Sequence, residues 1–387
     1  MNGRAPFGLY IHWPFCRSKC PYCDFNSHVA AGIDQARWCR AYLRALESLA
    51  PRMAGRELAS IFFGGGTPSL MDPETVAAVI ETARRLWPAG WAAGPPEVTL
   101  EANPTSIEAE KFAAFRRAGV NRASVGVQAL DDAALKFLGR EHSARDALAA
   151  LDVARGVFDR VNADMIYARP GQEPGAWEAE LARLLEIGLD HLSLYQLTIE
   201  RGTPFFGLYS KGAFALPDEE EATALYERTG TMLGEAGLFA YEISNYARPG
   251  AECRHNLIYW RGQDYLGIGP GAHGRLPAAG DGRSATVDLR RPEDWLARVE
   301  DTGAGLAGET PLNRRDRLEE IVLMGLRLAE GIGDDAIARA GGGEAELNPA
   351  RLARLVEGGF IEREGGRIRA TDEGRLRLDA VIAELLD

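Results

Sequence analysis

Basic residues are in short supply: 44 Lys and Arg face 56 Asp and Glu, a net charge of -12. Phosphate backbones call for a basic face, so no nucleic-acid partner is expected. Long apolar runs are also missing, and none would cross a bilayer. The first residues, Met1-Asn2-Gly3-Arg4-Ala5-Pro6, carry no apolar signal region, so a cytoplasmic location is expected. Cysteine and histidine are scarce, 5 and 6 in 387 residues. That excludes a disulfide framework. No internal repeat or low-complexity stretch stands out. What remains is 46% apolar and 26% charged, long enough for two or three globular domains.

Three of the five cysteines fall within eight residues, Cys16-Arg17-Ser18-Lys19-Cys20-Pro21-Tyr22-Cys23. Thiolates this close can converge on one cofactor. An iron–sulfur cluster suits them, and with three protein ligands it keeps one iron open for a small chelator. Zinc held with His12 or His28 is an alternative, although no second distant cysteine pair is present. Inert thiols are the third reading, and the favoured one for Cys39 and Cys253.

Periodicity predicts strands at Phe7–Trp13, Ser60–Phe63, Glu97–Ala102, Arg122–Val127, Val161–Tyr167 and His191–Leu197. Helical spacing lies between them: Asp34–Met53 with Asp34 as cap, Pro73–Trp87, Ile107–Ala118, Ala144–Val157 and Ala176–Ile187, then Asp218–Ala236. Such alternation implies parallel strands with crossover helices, an open or partial barrel of about six units. Barrel chemistry gathers where strands end. There lie the cysteine loop, Gly64-Gly65-Gly66-Thr67-Pro68, Glu101, Gln128, Arg140 and Asp164. Two carboxylates, an amide and a guanidinium suit a nucleoside bearing an amino acid. Residues 240–275, rich in Tyr, Gly and His, read as a functional loop region, and Asp281–Arg291 as weakly structured. Beyond Pro311, helices at Arg314–Leu328 and Pro349–Gly358 precede a hairpin around Gly365-Gly366 and a helix capped by Thr371. The hairpin's mixed charge favours packing or partner docking over DNA.

The CxxxCxxC loop, Gly64–Pro68, Glu101-Ala102-Asn103-Pro104 and Gly126-Val127-Gln128 together resemble the radical S-adenosylmethionine superfamily. More narrowly, the chain resembles the oxygen-independent coproporphyrinogen III oxidase group and, within it, the heme chaperone (HemW) type, from Tyr10 to the C-terminal helices. The fold so implied is α/β: a partial (β/α) radical-SAM-type barrel with a C-terminal winged-helix-like α+β module. Residues 1–240 would form the barrel, 241–310 a heme-associated region and 311–387 the winged-helix-like domain. The resemblance implies a [4Fe–4S] cluster on Cys16, Cys20 and Cys23, with S-adenosylmethionine chelating the open iron. It also implies S-adenosylmethionine contacts at Tyr10, Tyr22, Gly65, Gly66, Thr67, Glu101, Gln128, Arg140 and Asp164. One departure stands out: the family's Tyr-Gly-Leu-Pro-Gly-Gln is here Tyr167-Ala168-Arg169-Pro170-Gly171-Gln172.

Phe25 stands where the oxidase type carries a further cysteine, and fifteen residues precede Cys16 in place of that type's N-terminal extension. Both features point away from porphyrinogen decarboxylation. His255-Asn256-Leu257-Ile258-Tyr259-Trp260 matches the HNxxYW motif of the heme chaperones. His255 is therefore expected as an axial heme ligand, with Tyr259 and Trp260 as flat faces and Arg254 for a propionate. The expected function is heme binding and transfer to an acceptor protein, respiratory and membrane-associated, reached peripherally by a monomer or dimer. The competing expectation is a radical-generating oxidase of coproporphyrinogen III. No catalytic residue is assigned.

Overall fold

The computed structural model describes residues 5–30, 32–280, 282–341 and 347–386, the side chains of 106–108 excepted. Six parallel strands run in chain order: β1 (Phe7–Trp13), β2 (Leu58–Gly65), β3 (Glu97–Ala102), β4 (Arg122–Gln128), β5 (Arg160–Tyr167) and β6 (His191–Gln196). They match the predicted set. Helices Gln35–Leu49, Pro73–Leu86, Ser106–Ala118, Ala144–Val157 and Pro174–Glu186 cross between them. Covered in this way, the strands are buried nearly end to end, which is why β1 reads as an almost unbroken apolar run.

Helix Gln35–Leu49 illustrates the local logic. The Asp34 carboxylate accepts from the Arg37 N–H at 2.9 Å. Trp38, Ala41, Tyr42, Ala45, Leu46 and Leu49 then recur every three or four residues and are buried. Pro51 cannot continue the α-helical ladder, so Ala50–Met53 tightens into a 3₁₀ turn.

The stretch predicted as a functional loop is largely ordered secondary structure. It contributes β7 (Phe239–Ala240), β8 (Asn245–Ala247), a helix at Arg254–Trp260, β9 (Tyr265–Ile268) and β10 (His273–Pro277). The segment read as weakly structured holds β11 (Arg283–Asp288), which pairs antiparallel with both β10 and β12 (Leu306–Leu312). These strands lack sustained apolar runs, and edge pairing supplies the order that periodicity did not signal. All twelve join one sheet in the order β12-β11-β10-β9-β1-β2-β3-β4-β5-β6-β8-β7. β9 lies parallel to β1, so the parallel set is one strand larger than expected.

A second core forms beyond residue 313 from Leu318, Ile321, Val322, Ile368, Val381 and Leu385, among others. It holds helix Arg314–Gly325, helix Pro349–Glu357 and the predicted hairpin, Ile361–Glu364 with Arg367–Ala370. The module sits against the barrel through the Ala329 N–H on the Tyr241 carbonyl (2.9 Å) and the Arg261–Glu330 pair (2.9 Å).

Candidate functional site

The cysteine loop leaves the end of β1 and returns through a short parallel pairing of Phe15 with His28 and Cys16 with Val29. Asn26 clamps it from inside. Its side-chain amide donates to the carbonyls of Pro270 and Arg290, both at 2.8 Å. Its own carbonyl accepts from His12 Nε2 at 3.0 Å. With Nε2 donating, His12 Nδ1 accepts from the Tyr10 hydroxyl at 3.0 Å. The Cys23 N–H bonds the Cys20 carbonyl (3.1 Å), a turn within the CxxC half of the motif.

The glycine triplet at the end of β2 lies directly against this loop. Gly65 has φ 112°, a value favouring glycine, and a Cβ there would strike the His12 ring. A Cβ on Gly66 would meet the carbonyls of Trp13 and Phe15. The Gly66 and Thr67 N–H groups bond those two carbonyls at 2.6 and 2.8 Å, while the Gly65 N–H bonds Glu101 Oε2 at 3.1 Å. The triplet thus stitches the cysteine loop to β3.

Loop and strand ends enclose a cavity of about 770 Å³. Cys16, Cys20, Cys23, Tyr22, Gly65, Gly66, Thr67, Glu101, Gln128, Arg140 and Asp164 all line it. Donors stand ready beside the sulfurs: Thr67 Oγ1 lies 3.4 Å from Cys16 Sγ, and Arg140 Nη1 lies 3.4 Å from Cys20 Sγ. Burial pushes the Cys16 and Cys23 thiols up. Burial, with the Asp164 charge adding to it, pushes the Glu101 carboxyl up to about 8. Asp164 is likewise raised by burial, against hydrogen bonds from Ser193, Asn162 and Ser124. Two such carboxyls in one site retain a proton near neutrality. A cationic ligand could take that proton's place.

Gln128 has φ 68°, unusual without glycine, at a bulge where the β4–β5 register shifts. Ala168, in the departed motif, has φ 54°, where the family's glycine would be unstrained. Arg169 beside it is buried and paired with Glu180. That departure therefore serves a buried ion pair and not the cavity.

Tyr10 and His255 do not line the cavity. They lie beneath it inside the barrel, ring centroids 6.3 Å apart. His255 is 1% exposed and stacks on Phe62 at 5.0 Å. Its Nδ1 pairs with Ser60 Oγ at 2.8 Å and its Nε2 with the Tyr259 hydroxyl at 2.9 Å. Burial, with Arg122 adding to it, pushes the imidazole down to about 3, so it is neutral. Both ring nitrogens are occupied, and the expected axial ligand has no free lone pair in this arrangement. A hydrogen-bond chain links this interior to the cavity. Asn162 Nδ2 donates to Asp164 Oδ1 (2.7 Å) and His191 Nδ1 to Asn162 Oδ1 (2.7 Å). The Tyr241 hydroxyl donates to His191 Nε2 (2.9 Å) and accepts from Asn256 Nδ2 (3.1 Å).

The far wall of the cavity went unread in the sequence. Tyr195, Gln196, Tyr226, Ile243 and Ser244 form it with Arg375 and Leu376 of the C-terminal module. The Thr371 cap announced the short helix carrying Arg375, but no local signal gives its direction.

The residues present fit the implied cofactors. Three thiols share one cavity wall, and Cys16 feels the charges of Cys20 and Cys23. The imidazoles that zinc would draw on are engaged, His12 with Tyr10 and Asn26 and His28 with Asn26.

Residues 10–194 match the radical SAM superfamily model, and residues 312–377 match the HemN C-terminal domain model. The chain is 45% identical to radical S-adenosyl methionine domain-containing protein 1, mitochondrial, of Bos taurus, over 99% of this chain and 88% of that protein. It is 36% identical to the heme chaperone HemW of Mycobacterium tuberculosis, covering 98% and 95% of the two chains. The heme chaperone HemW of Escherichia coli is also 36% identical, with 97% of each chain covered. Among solved structures, coproporphyrinogen III oxidase (HemN) from Escherichia coli superimposes with a TM-score of 0.79, covering 99% of this chain and 90% of that one at 23% identity. That likeness concerns the fold.

Proposed function

The chain belongs to the radical SAM superfamily, in its HemN-like/HemW group, and on that premise we propose that it is a heme chaperone. It binds heme and hands it to an acceptor protein, on a scaffold carrying a [4Fe–4S] cluster and S-adenosylmethionine. The observation that carries this reading is the near end-to-end likeness to HemW chaperones of two bacteria, with the cysteine loop opening on a large cavity.

When bound, the cluster and S-adenosylmethionine supply one-electron reduction and a cleavable nucleoside sulfonium. The chain's own residues do the rest. Cys16, Cys20 and Cys23 hold the cluster. Thr67 and Arg140 donate toward the Cys16 and Cys20 sulfurs that would hold it, which would temper their negative charge. Glu101 and Asp164 receive the ligand's cationic groups and release their retained proton. Tyr22 borders the cavity beside Cys23 and offers an aromatic face.

Unpaired thiols suit a reducing cytoplasm. No helix among the described residues is long and apolar enough to cross a membrane. Delivery to membrane-bound respiratory acceptors would then be peripheral, by a monomer or dimer. The test is an anaerobic hemin titration of the cluster-loaded protein, followed by transfer to an apo-acceptor and an assay for 5′-deoxyadenosine. Heme binding and transfer support the proposal. Conversion of coproporphyrinogen III to protoporphyrinogen would replace it with the oxidase reading.

A further inference from the structure

We infer that Arg122 is a positioning residue for the cavity: buried beneath its floor, the guanidinium is the counter-charge of Asp164 and Glu101, and a water held between Arg122 Nε and Thr99 Oγ1 solvates it. Neither heme nor the cluster enters this role.

Alternation along the strands places these groups. On β3, Glu97, Thr99 and Glu101 share one face. That face looks into the barrel, because Glu97 accepts from the Cys253 thiol (3.4 Å) and the His255 N–H (3.3 Å), while Glu101 lines the cavity. On β4, Arg122 stands in register with Thr99, and Ser124 with Glu101. On β5, Arg160 stands in register with Arg122, and Asn162 with Ser124, one step below Asp164. Three neighbouring strands thus set a row of Thr99, Arg122 and Arg160 directly beneath the cavity carboxyls.

The two arginines of that row differ in what they meet. Arg160 pairs with Glu97 Oε2 at 3.4 Å and donates to the Glu252 carbonyl at 3.3 Å. Arg122 is 2% exposed, yet its Nε has no partner, and neither has Oγ1 of the fully buried Thr99. A buried cation does not leave an N–H dry without a large cost. Water satisfies both atoms, accepting from Nε and bonding the hydroxyl. An anion would do the same for two donors, but Glu97 and Asp164 face the same guanidinium and oppose it.

The charges around Arg122 leave it one counterpart. Facing it are Cys253 ahead of the helix at Arg254–Trp260, Glu97 on β3, Tyr241 between β7 and β8, and Asp164 on β5. Its charge also reaches Glu101, His191 on β6 and His255. Burial pushes the Cys253 thiol and the Tyr241 hydroxyl up and both imidazoles down, so all four are neutral. Glu97 is matched by Arg160. What remains is the pair of cavity carboxyls. Around Glu101 stand Asp164 and the hydroxyls of Tyr10, Tyr195 and Tyr259, which burial pushes up and keeps neutral. Arg122 never meets a ligand in the cavity. It works through Asp164 and Glu101, which present negative charge to a cation despite their burial.

The experiment follows the full chain, metal-free, by infrared difference spectroscopy, reading the protonated-carboxyl band that Glu101→Gln removes. In wild type this band should titrate near pH 8. Arg122→Met keeps the apolar stem and removes the charge. It should move the midpoint up by about one pH unit, a tenfold gain in proton affinity, and Arg122→Lys should restore most of the wild-type value. A packing role alone would leave the midpoint in place. An unmoved midpoint in folded Arg122→Met therefore overturns the proposal, and so does an equal shift in Arg122→Lys. A high-resolution crystal structure of the wild type decides the matter even where Arg122→Met fails to fold. Ordered water within hydrogen-bond distance of both Arg122 Nε and Thr99 Oγ1 supports the proposal, and a dry contact or an ordered anion there overturns it.

Discussion

The same strands build two polar regions that behave oppositely. Near their C-terminal ends, β2, β3 and β5 present Gly65, Glu101 and Asp164 to an open cavity. A few residues earlier, β2, β4 and β5 present Ser60, Arg122 and Asn162 to a sealed interior. In the interior many hydrogen bonds close on one another, His255 with Ser60 and Tyr259 and Asn162 with Ser124, His191 and Ser193, while the buried Arg122 Nε has no partner. At the cavity Asp164 is bonded by Ser124 and Asn162 and Glu101 by the Gly65 N–H, and what differs is the gathering of acidic groups and thiols on an open space. Burial raises the Glu101 and Asp164 carboxyls and the Cys16 and Cys23 thiols, and Thr67 and Arg140 donate toward the Cys16 and Cys20 sulfurs. Polar residues alone therefore do not mark a site. Raised carboxyls and thiols gathered on one open cavity do.

The comparison can be broken most sharply at Cys20. Cys20→Ser should abolish the visible charge-transfer absorbance of the reconstituted cluster with little change in thermal unfolding of the metal-free protein. Retained absorbance would remove the cysteine loop from the ligand set. His255→Ala should do the reverse. It leaves Ser60 and Tyr259 without their partner in a buried space, at a cost of about 2–4 kcal/mol in denaturant unfolding. The cluster should still load. Loss of hemin binding with undiminished stability would instead make His255 a ligand and the interior a second site.

A subtler contrast lies in pH. The folded-state carboxyl of Glu101 is raised to about 8, above its value of 4.5 when unfolded. The folded protein then holds the extra proton between those values. This stabilisation is complete below the unfolded value and fades as pH rises toward 8. Apo-protein stability should accordingly fall between pH 5 and 8, and Glu101→Gln should flatten the slope. An unchanged slope would show that Glu101 is ionised throughout. The smallest effect is at Ala168, whose φ of 54° strains a residue bearing a Cβ. Ala168→Gly should stabilise by about 0.5 kcal/mol, because relief of strain outweighs the added entropy of the unfolded chain. A loss of stability would show that the turn is unstrained.

Local patterns carried much of the fold. Apolar runs, caps such as Asp34 and Thr371, and the alternation of strands with helices are properties of neighbouring residues, and they placed β1 to β6 and the C-terminal hairpin. The edge strands β10 to β12 were missed because their order comes from pairing partners far away in sequence. The cavity-lining residues at strand ends were legible for a related reason: in parallel α/β architecture, chain position along a strand predicts the rim. Tyr10 and His255 escaped that rule. The motif around His255 shows which residues occur together, not which way they face.

The amino-acid sequence by itself determined the cysteine loop, the family and the succession of the barrel strands, since spacing and periodicity act over a few residues. Only the tertiary structure decided that His255 is sealed with both nitrogens engaged and that Arg375 reaches the cavity. Burial and hydrogen-bond completion depend on what the rest of the chain brings alongside, and no short stretch encodes them.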